Sequence, residues 1–179
     1  MRPTRAARSA PSGACAPALA PSPGGDLVAA ATGGRALLLD RATLATRAAV
    51  GRRSDALACV AWSPAGDLVL AGGRDGAGRG AVVVFDARAG LERGRLAAGD
   101  GVTSVAASPD GRLAAAGDAR GEARVWALPG GAALARLQGP HQALTAVAFG
   151  AEGDLYTAGR DVARGAAVRV WRAPRTLAR

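Results

Sequence analysis

Lysine, isoleucine and asparagine are absent from this 179-residue chain, so all 23 basic residues are arginine. The missing lysine excludes a phosphate-binding P-loop, a pyridoxal Schiff base and the strand lysine of protein kinases, each of which needs that ammonium group. Histidine occurs once, as His141, and cysteine twice, as Cys15 and Cys59. Their spacing is not that of a zinc site, and two distant cysteines do not make a disulfide framework. Buried thiols in a reducing compartment are expected instead. Aromatic residues supply only 3% of the chain, which leaves an interior of Ala, Val and Leu. No apolar run nears the ~20 residues that a membrane-spanning helix requires.

The formal charge is +9. A GC-rich coding bias explains part of it, since the missing residue types are those with A/T-rich codons. The segment 1–12 carries Arg2, Arg5 and Arg8, and no acid precedes Asp26. It reads as a disordered or targeting segment; no apolar stretch follows that would make it a secretory signal. The expected location is intracellular, in cytoplasm or nucleus.

What is present is a repeat. Ser22-Pro23-Gly24-Gly25-Asp26, Ser63-Pro64-Ala65-Gly66-Asp67, Ser108-Pro109-Asp110-Gly111 and Gly150-Ala151-Glu152-Gly153-Asp154 start 41, 45 and 42 residues apart. A second landmark, the end of a short apolar run at Leu39-Asp40, Phe85-Asp86, Trp126 and Trp171, recurs at 46, 41 and 45. Two landmarks sharing one period define repeats at about 13–52, 53–97, 98–139 and 140–179. Each holds strand-length segments punctuated by Gly, Pro and Asp, as Leu57–Trp62, Leu68–Ala71, Ala81–Phe85 and Glu92–Leu96 do in the second. Alanine prefers helix, and 41–49 could form a turn or two of one. Punctuation every 8 to 12 residues leaves no room for helices of normal length, so the chain is predicted to be all-β.

These residues carry a resemblance. Ala61-Trp62-Ser63-Pro64-Ala65-Gly66-Asp67 and Ser108-Pro109-Asp110-Gly111 are similar to the turn of WD-repeat β-propellers, and Gly139-Pro140-His141 to the Gly-His that opens a repeat. Phe85-Asp86, Trp126-Ala127 and Trp171-Arg172 stand at its closing Trp-Asp, although the literal dipeptide never occurs. The resemblance runs from Gly13 to Arg179. It implies blades of four antiparallel strands. It also implies a structural His–Ser/Thr–Asp–Trp tetrad, which falls on His141, Thr157, Asp161 and Trp171, with Asp161 one residue nearer the preceding turn than the pattern. Repeat two keeps Asp75 but has Ser54 and Phe85 in place of His and Trp; repeat three has Arg120 in place of Asp. Four repeats are about half the family's usual ring, so part of a larger propeller is expected, with apolar faces such as Leu37, Leu39, Val168 and Val170 open at its ends.

Function is read against simpler roles. His141 with Ser54, Ser63 or Ser108 and Asp161 could form a nucleophilic set, but one histidine in a tetrad slot needs no catalysis to explain it. The segment 72–80 is glycine-rich, yet it lacks the helix that follows a phosphate loop. Arg74, Arg79, Arg120, Arg160 and Arg164 all fall between second and third strands, forming a rim able to grip a protein partner, acidic peptide or nucleic acid. The resemblance implies a non-enzymatic scaffold for protein–protein interaction, by self-association or by completion with further blades. No cofactor or metal is expected. Nucleic-acid binding at the rim is the alternative, followed by a lactonase-type hydrolase with a carboxylate-held metal. Most of the eleven Asp sit in turns, where they bond local backbone.

Overall fold

The computed structural model describes residues 18–32, 34–53, 55–139, 141–161 and 165–172, with His141 described by its backbone alone. The N-terminal segment 1–12, Cys15, Ser54, Arg164 and the strand expected from Arg175 onward lie outside these residues. Among the described residues fifteen strands make four antiparallel sheets, and there is no helix. The first sheet is β1 (Leu19–Pro21), β2 (Leu27–Thr32), β3 (Arg35–Asp40) and β4 (Thr46–Val50). The second is β5 (Ala56–Trp62), β6 (Leu68–Arg74), β7 (Gly80–Asp86) and β8 (Leu91–Ala97). The third is β9 (Val102–Ala107), β10 (Leu113–Asp118), β11 (Glu122–Ala127) and β12 (Ala133–Gln138). The fourth has β13 (His141–Phe149), β14 (Leu155–Asp161) and β15 (Gly165–Trp171). Each sheet is a meander with its strands in chain order, so one repeat is one blade.

The repeated turn explains why each meander starts correctly. In the second blade Ser63 Oγ donates to Asp67 Oδ1 at 2.6 Å and accepts Leu68 N–H at 2.9 Å. Ser22 with Asp26 and Leu27 does the same in the first blade, and Ser108 with Asp110 and Leu113 in the third. Gly66 N–H bonds back to Ser63 O, with φ of +72°, a left-handed conformation that glycine adopts without steric cost. The fourth turn lacks the serine and closes one residue earlier, Gly150 N–H to Asp154 O. Leu155 therefore takes the place opposite Trp171 that Val69 takes opposite Phe85 and Ala114 opposite Trp126.

The blades stack face to face, and the core lies between them. Between the first and second, Ala29, Ala36 and Leu38 meet Val69, Ala71, Val83 and Phe85. Between the second and third, Leu70, Val82, Val84 and Leu96 meet Val102, Val105, Ala114 and Trp126. Ala115, Ala123 and Val125 then meet Leu144, Val147 and Leu155 of the fourth. Burial on both faces overrides alanine's helical preference: the Ala-rich strands β2 and β10 each lie between a neighbouring strand and a neighbouring blade. The stretch considered for helix ends instead in β4.

Trp126 is 3% exposed, as its place at the end of a third strand predicts. Trp171, expected like Trp126 to be largely buried, is half-buried and packed against the core between the third and fourth blades. Its sheet has three described strands, so β15 is an edge there, whereas β11 is flanked by β12. Phe85→Ala and Trp126→Ala should each cost about 3–5 kcal/mol in denaturant unfolding, and Trp171→Ala clearly less. Equal losses at Trp126 and Trp171 would contradict the smaller burial of Trp171.

Candidate functional site

The loops joining second to third strands, with those leading into each new blade, form a rim where charge is organised in pairs. Asp100, just ahead of β9, receives Arg74 from the second blade at 2.6 Å and Arg120 from the third at 2.8 Å. The N–H of Gly101 and then both arginines hold its carboxyl below the usual carboxylate range. Arg79 folds back on Asp75 at 3.0 Å, and Asp75 also caps the backbone N–H groups of Ala77 and Arg79. The glycine-rich segment is thus the end of β6 and a carboxylate-capped turn, not a phosphate cradle. Of the five rim arginines, Arg74 and Arg120 share one carboxylate, Arg79 pairs within its own turn, and Arg160 is exposed with no ion pair among the described residues.

Two buried carboxylates anchor this rim. Asp118 accepts Arg120 N–H and Glu122 N–H at 2.9 Å and Asp100 N–H at 3.2 Å, tying the turn to the loop leading into the same blade. The pattern that placed Arg120 at the tetrad's acid position missed Asp118, two residues earlier. Glu122 receives Arg124 and Arg136, each at 2.5 Å. Burial pushes its carboxyl up, but the two guanidinium groups outweigh burial and leave it below its usual range. Asp55, ahead of β5, is held in the same sense by Arg95 at 2.9 Å.

In the fourth blade Trp171 Nε1–H donates to Thr157 Oγ1 at 3.1 Å, and Thr157 is 1% exposed. His141 and Asp161 are register partners across β13 and β14. Ser63 and Ser108 are buried and bonded on both sides as described above, so neither hydroxyl is available for attack. Among the described residues no group of three or more His, Cys, Asp or Glu could hold a metal, and no helix is long and apolar enough to cross a membrane. A cleft of about 690 Å³ between the second and third blades is bordered by Asp67, Asp86, Arg93 and Asp110. There Asp86 pairs with Arg93, and Asp67 and Asp110 with their serines.

The least satisfied surface is the forward face of the fourth blade. Strand pairing makes Leu38, Val84, Val125 and Val170 equivalent: the first three lie opposite the third residue of the preceding strand, Ala29, Leu70 and Ala115, and Val170 opposite the second, Tyr156, because the fourth turn is one residue shorter. The first three are covered by the following blade at 1, 3 and 8% exposure; Val170 is 46% exposed. At the next equivalent position Ala36, Val82 and Ala123 are buried, and Val168 is 72% exposed. Tyr156 extends the same patch. The sequence pattern singled out Val168 and Val170 as an end face but gave no signal for Tyr156. At the other end Leu37 and Leu39 are half-buried.

The model of the family described as WD domain, G-beta repeat matches residues 49–78 and 93–127. No curated protein matches the chain. Among solved structures, the WD40 repeats of RRP9 superpose with a TM-score of 0.77 at 19% identity, over 88% of this chain and 48% of that one. U3-55K gives 0.77 at 18%, over 88% and 48%. Hydrazine synthase of Kuenenia stuttgartiensis gives 0.75 at 16%, over 92% and 49%. At these identities the likeness is one of fold, and the chain spans about half the length of the structures it matches. WD repeats are present by sequence in the second and third blades, within the open stack of a partial propeller.

The carboxylates of Asp55, Asp100 and Glu122 all have folded pKa values below their unfolded ones. Their contribution to stability is therefore full above the unfolded carboxylate range, about pH 4–5, and lost as pH falls through the folded values. Glu122→Gln should unfold at a lower temperature than the parent at pH 7, and the gap should close between about pH 5 and pH 2. A gap that persists at pH 2 would show that charge on Glu122 is not what holds Arg124 and Arg136.

Proposed function

We propose that this partial WD-repeat propeller is a non-enzymatic scaffold that builds a protein assembly through the forward face of its fourth blade. The observation carrying this reading is the exposure of Val168 and Val170 at positions buried in every earlier blade. Leaving such side chains in water forgoes about 1.5–3 kcal/mol each, so a protein surface that covers them gains that much in return. WD repeats are a protein-interaction kind of module, which agrees with this use of the face.

The rim favours the same reading over nucleic-acid binding. Phosphate gripping needs guanidinium groups available to release counterions, whereas Arg79 is engaged by Asp75, and Arg74 and Arg120 by the shared Asp100. On this reading His141, Thr157, Asp161 and Trp171 hold the fourth blade together rather than turn over a substrate. If they form one network, His141→Ala and Asp161→Ala should lower stability by less together than the sum of the two, by about 0.5 kcal/mol or more. Strict additivity would separate the two residues and end the tetrad assignment.

The scaffold role itself is tested by Val168→Asp with Val170→Asp. Exposed positions tolerate such changes within about 1 kcal/mol, so the doubly substituted chain should fold with unchanged far-ultraviolet circular dichroism. Purified from its native cells, it should lose the stoichiometric partners that the parent retains. Retention of every partner by the folded variant would overturn the reading.

A further inference from the structure

The forward face has a charged edge that narrows what can cover it. In β6, Arg74 lies opposite Gly80, five residues before Phe85; in β14, Arg160 lies opposite Ala166, five residues before Trp171. The two arginines hold equivalent positions. Arg74 spends its charge forward, across the blade junction, on Asp100 at 2.6 Å. It lies so close over Gly101 that a Cβ there would come within 2.6 Å of its Nε. Arg160, exposed at the same place in the fourth blade, has no ion pair among the described residues.

We propose that the forward face of the fourth blade docks a further four-stranded blade that brings a carboxylate just ahead of its first strand to pair with Arg160, and that this blade is not the first blade of a second copy. The proposal rests on the scaffold reading and specifies its partner. Apolar cover alone would fit either occupant, because the first blade also presents Leu37 and Leu39. Charge separates them. The third blade is led by Asp100, which answers Arg74, whereas the residues directly ahead of β1 in the sequence are Pro17 and Ala18, with no acid before Asp26. The first blade of a second copy therefore offers Arg160 no carboxylate, and on a chain already at +9 an unanswered guanidinium gains no association energy. The partner surface is therefore an aliphatic sheet face with an acid, of the Asp-Gly kind seen at Asp100-Gly101, at its leading edge.

The test extends the full chain after Arg179, through a Gly/Ser linker, with a second copy of either 98–139, led by Asp100, or 18–53, which lacks a leading acid. Each fusion is made with the native Ala158 and with Ala158→Gly, since the first blade carries Ala31 at this place, opposite Ala36 and 1% exposed, whereas the second and third carry Gly72 and Gly117. At those glycines a Cβ would lie under 3 Å from the following blade's Val102 or Val147, so protection seen only with Ala158→Gly would overturn docking on the native face. In the acid-led fusion, amide exchange across 165–171 should slow at least tenfold relative to the unextended chain. Arg160→Glu should reverse that protection, and Asp100→Arg in the appended copy should restore it to the Arg160→Glu chain. The fusion lacking the acid should show neither protection nor dependence on Arg160. Protection that ignores Arg160, or equal protection in both fusions, would overturn the carboxylate requirement while leaving the scaffold reading in place. A discrete dimer of the unextended chain in sedimentation, dissolved by Val170→Asp, would overturn the proposal in favour of a second copy. Failure of the scaffold reading has its own signature, the retention of native partners by the Val168→Asp, Val170→Asp chain.

Discussion

Everything in this molecule depends on face-to-face stacking of thin sheets. A blade of four short strands built from Ala, Val and Leu cannot bury its apolar residues alone, because a single sheet has two faces and no interior. Here the interior is made at the junctions. Leu38 disappears under Val69 and Phe85, Val84 under Ala114 and Trp126, and Val125 under Leu144 and Leu155. Each blade thus depends on its successor, and the fourth blade, whose face is built to the same plan, is the place where that dependence is left open.

The scarcity of aromatics sharpens the constraint. With small side chains the sheets must approach closely, which is why Gly72 has no space for a Cβ between Cys59, Val102 and Val105. Junctions this close are fixed by groups that cannot slide. Thr103 Oγ1 donates to Leu144 O at 2.6 Å, and Ser104 Oγ accepts Val147 N–H at 3.1 Å, so the first strands of the third and fourth blades are keyed to each other by hydrogen bonds as well as by volume. Trp62 Nε1–H does the same between second and first blades by donating to Ala20 O at 2.8 Å.

The repeat made the architecture legible because its signals are local. A serine two-way bonded to an aspartate and to a backbone N–H needs only a five- or six-residue segment, so it survives in the sequence as Ser-Pro-x-Gly. The boundaries of β9 could be read directly, and the ambiguity of the Ala-rich stretch before β4 was resolved by the period and not by propensity. The rest depended on partners distant in sequence. Asp118 could not be recognised as the turn's anchor because its role rests on an N–H of Asp100, eighteen residues back. The incomplete burial of Trp171 accompanies its place on β15, the outermost of the three described strands of its sheet. Tyr156 joins the open face only because the fourth turn is one residue shorter, and a one-residue change reverses which side chains face which way.

The charge pattern follows the same logic as the apolar one. A chain whose basic residues are all arginine carries planar forks that suit carboxylates, and several are used so: Arg74 on Asp100 across the junction of the second and third blades, and, within blades, Arg120 on Asp100, Arg95 on Asp55, Arg124 and Arg136 on Glu122. The high net charge is therefore not spread evenly as a sticky surface. At the junction of the second and third blades the arginine at the end of the second strand, Arg74, is answered by Asp100 in the loop that leads the next blade, and Arg160, at the same place in the fourth blade, has no ion pair among the described residues. Apolar exposure at Val168 and Val170 and a guanidinium at Arg160 without an ion pair among the described residues thus fall on one edge of the fourth blade.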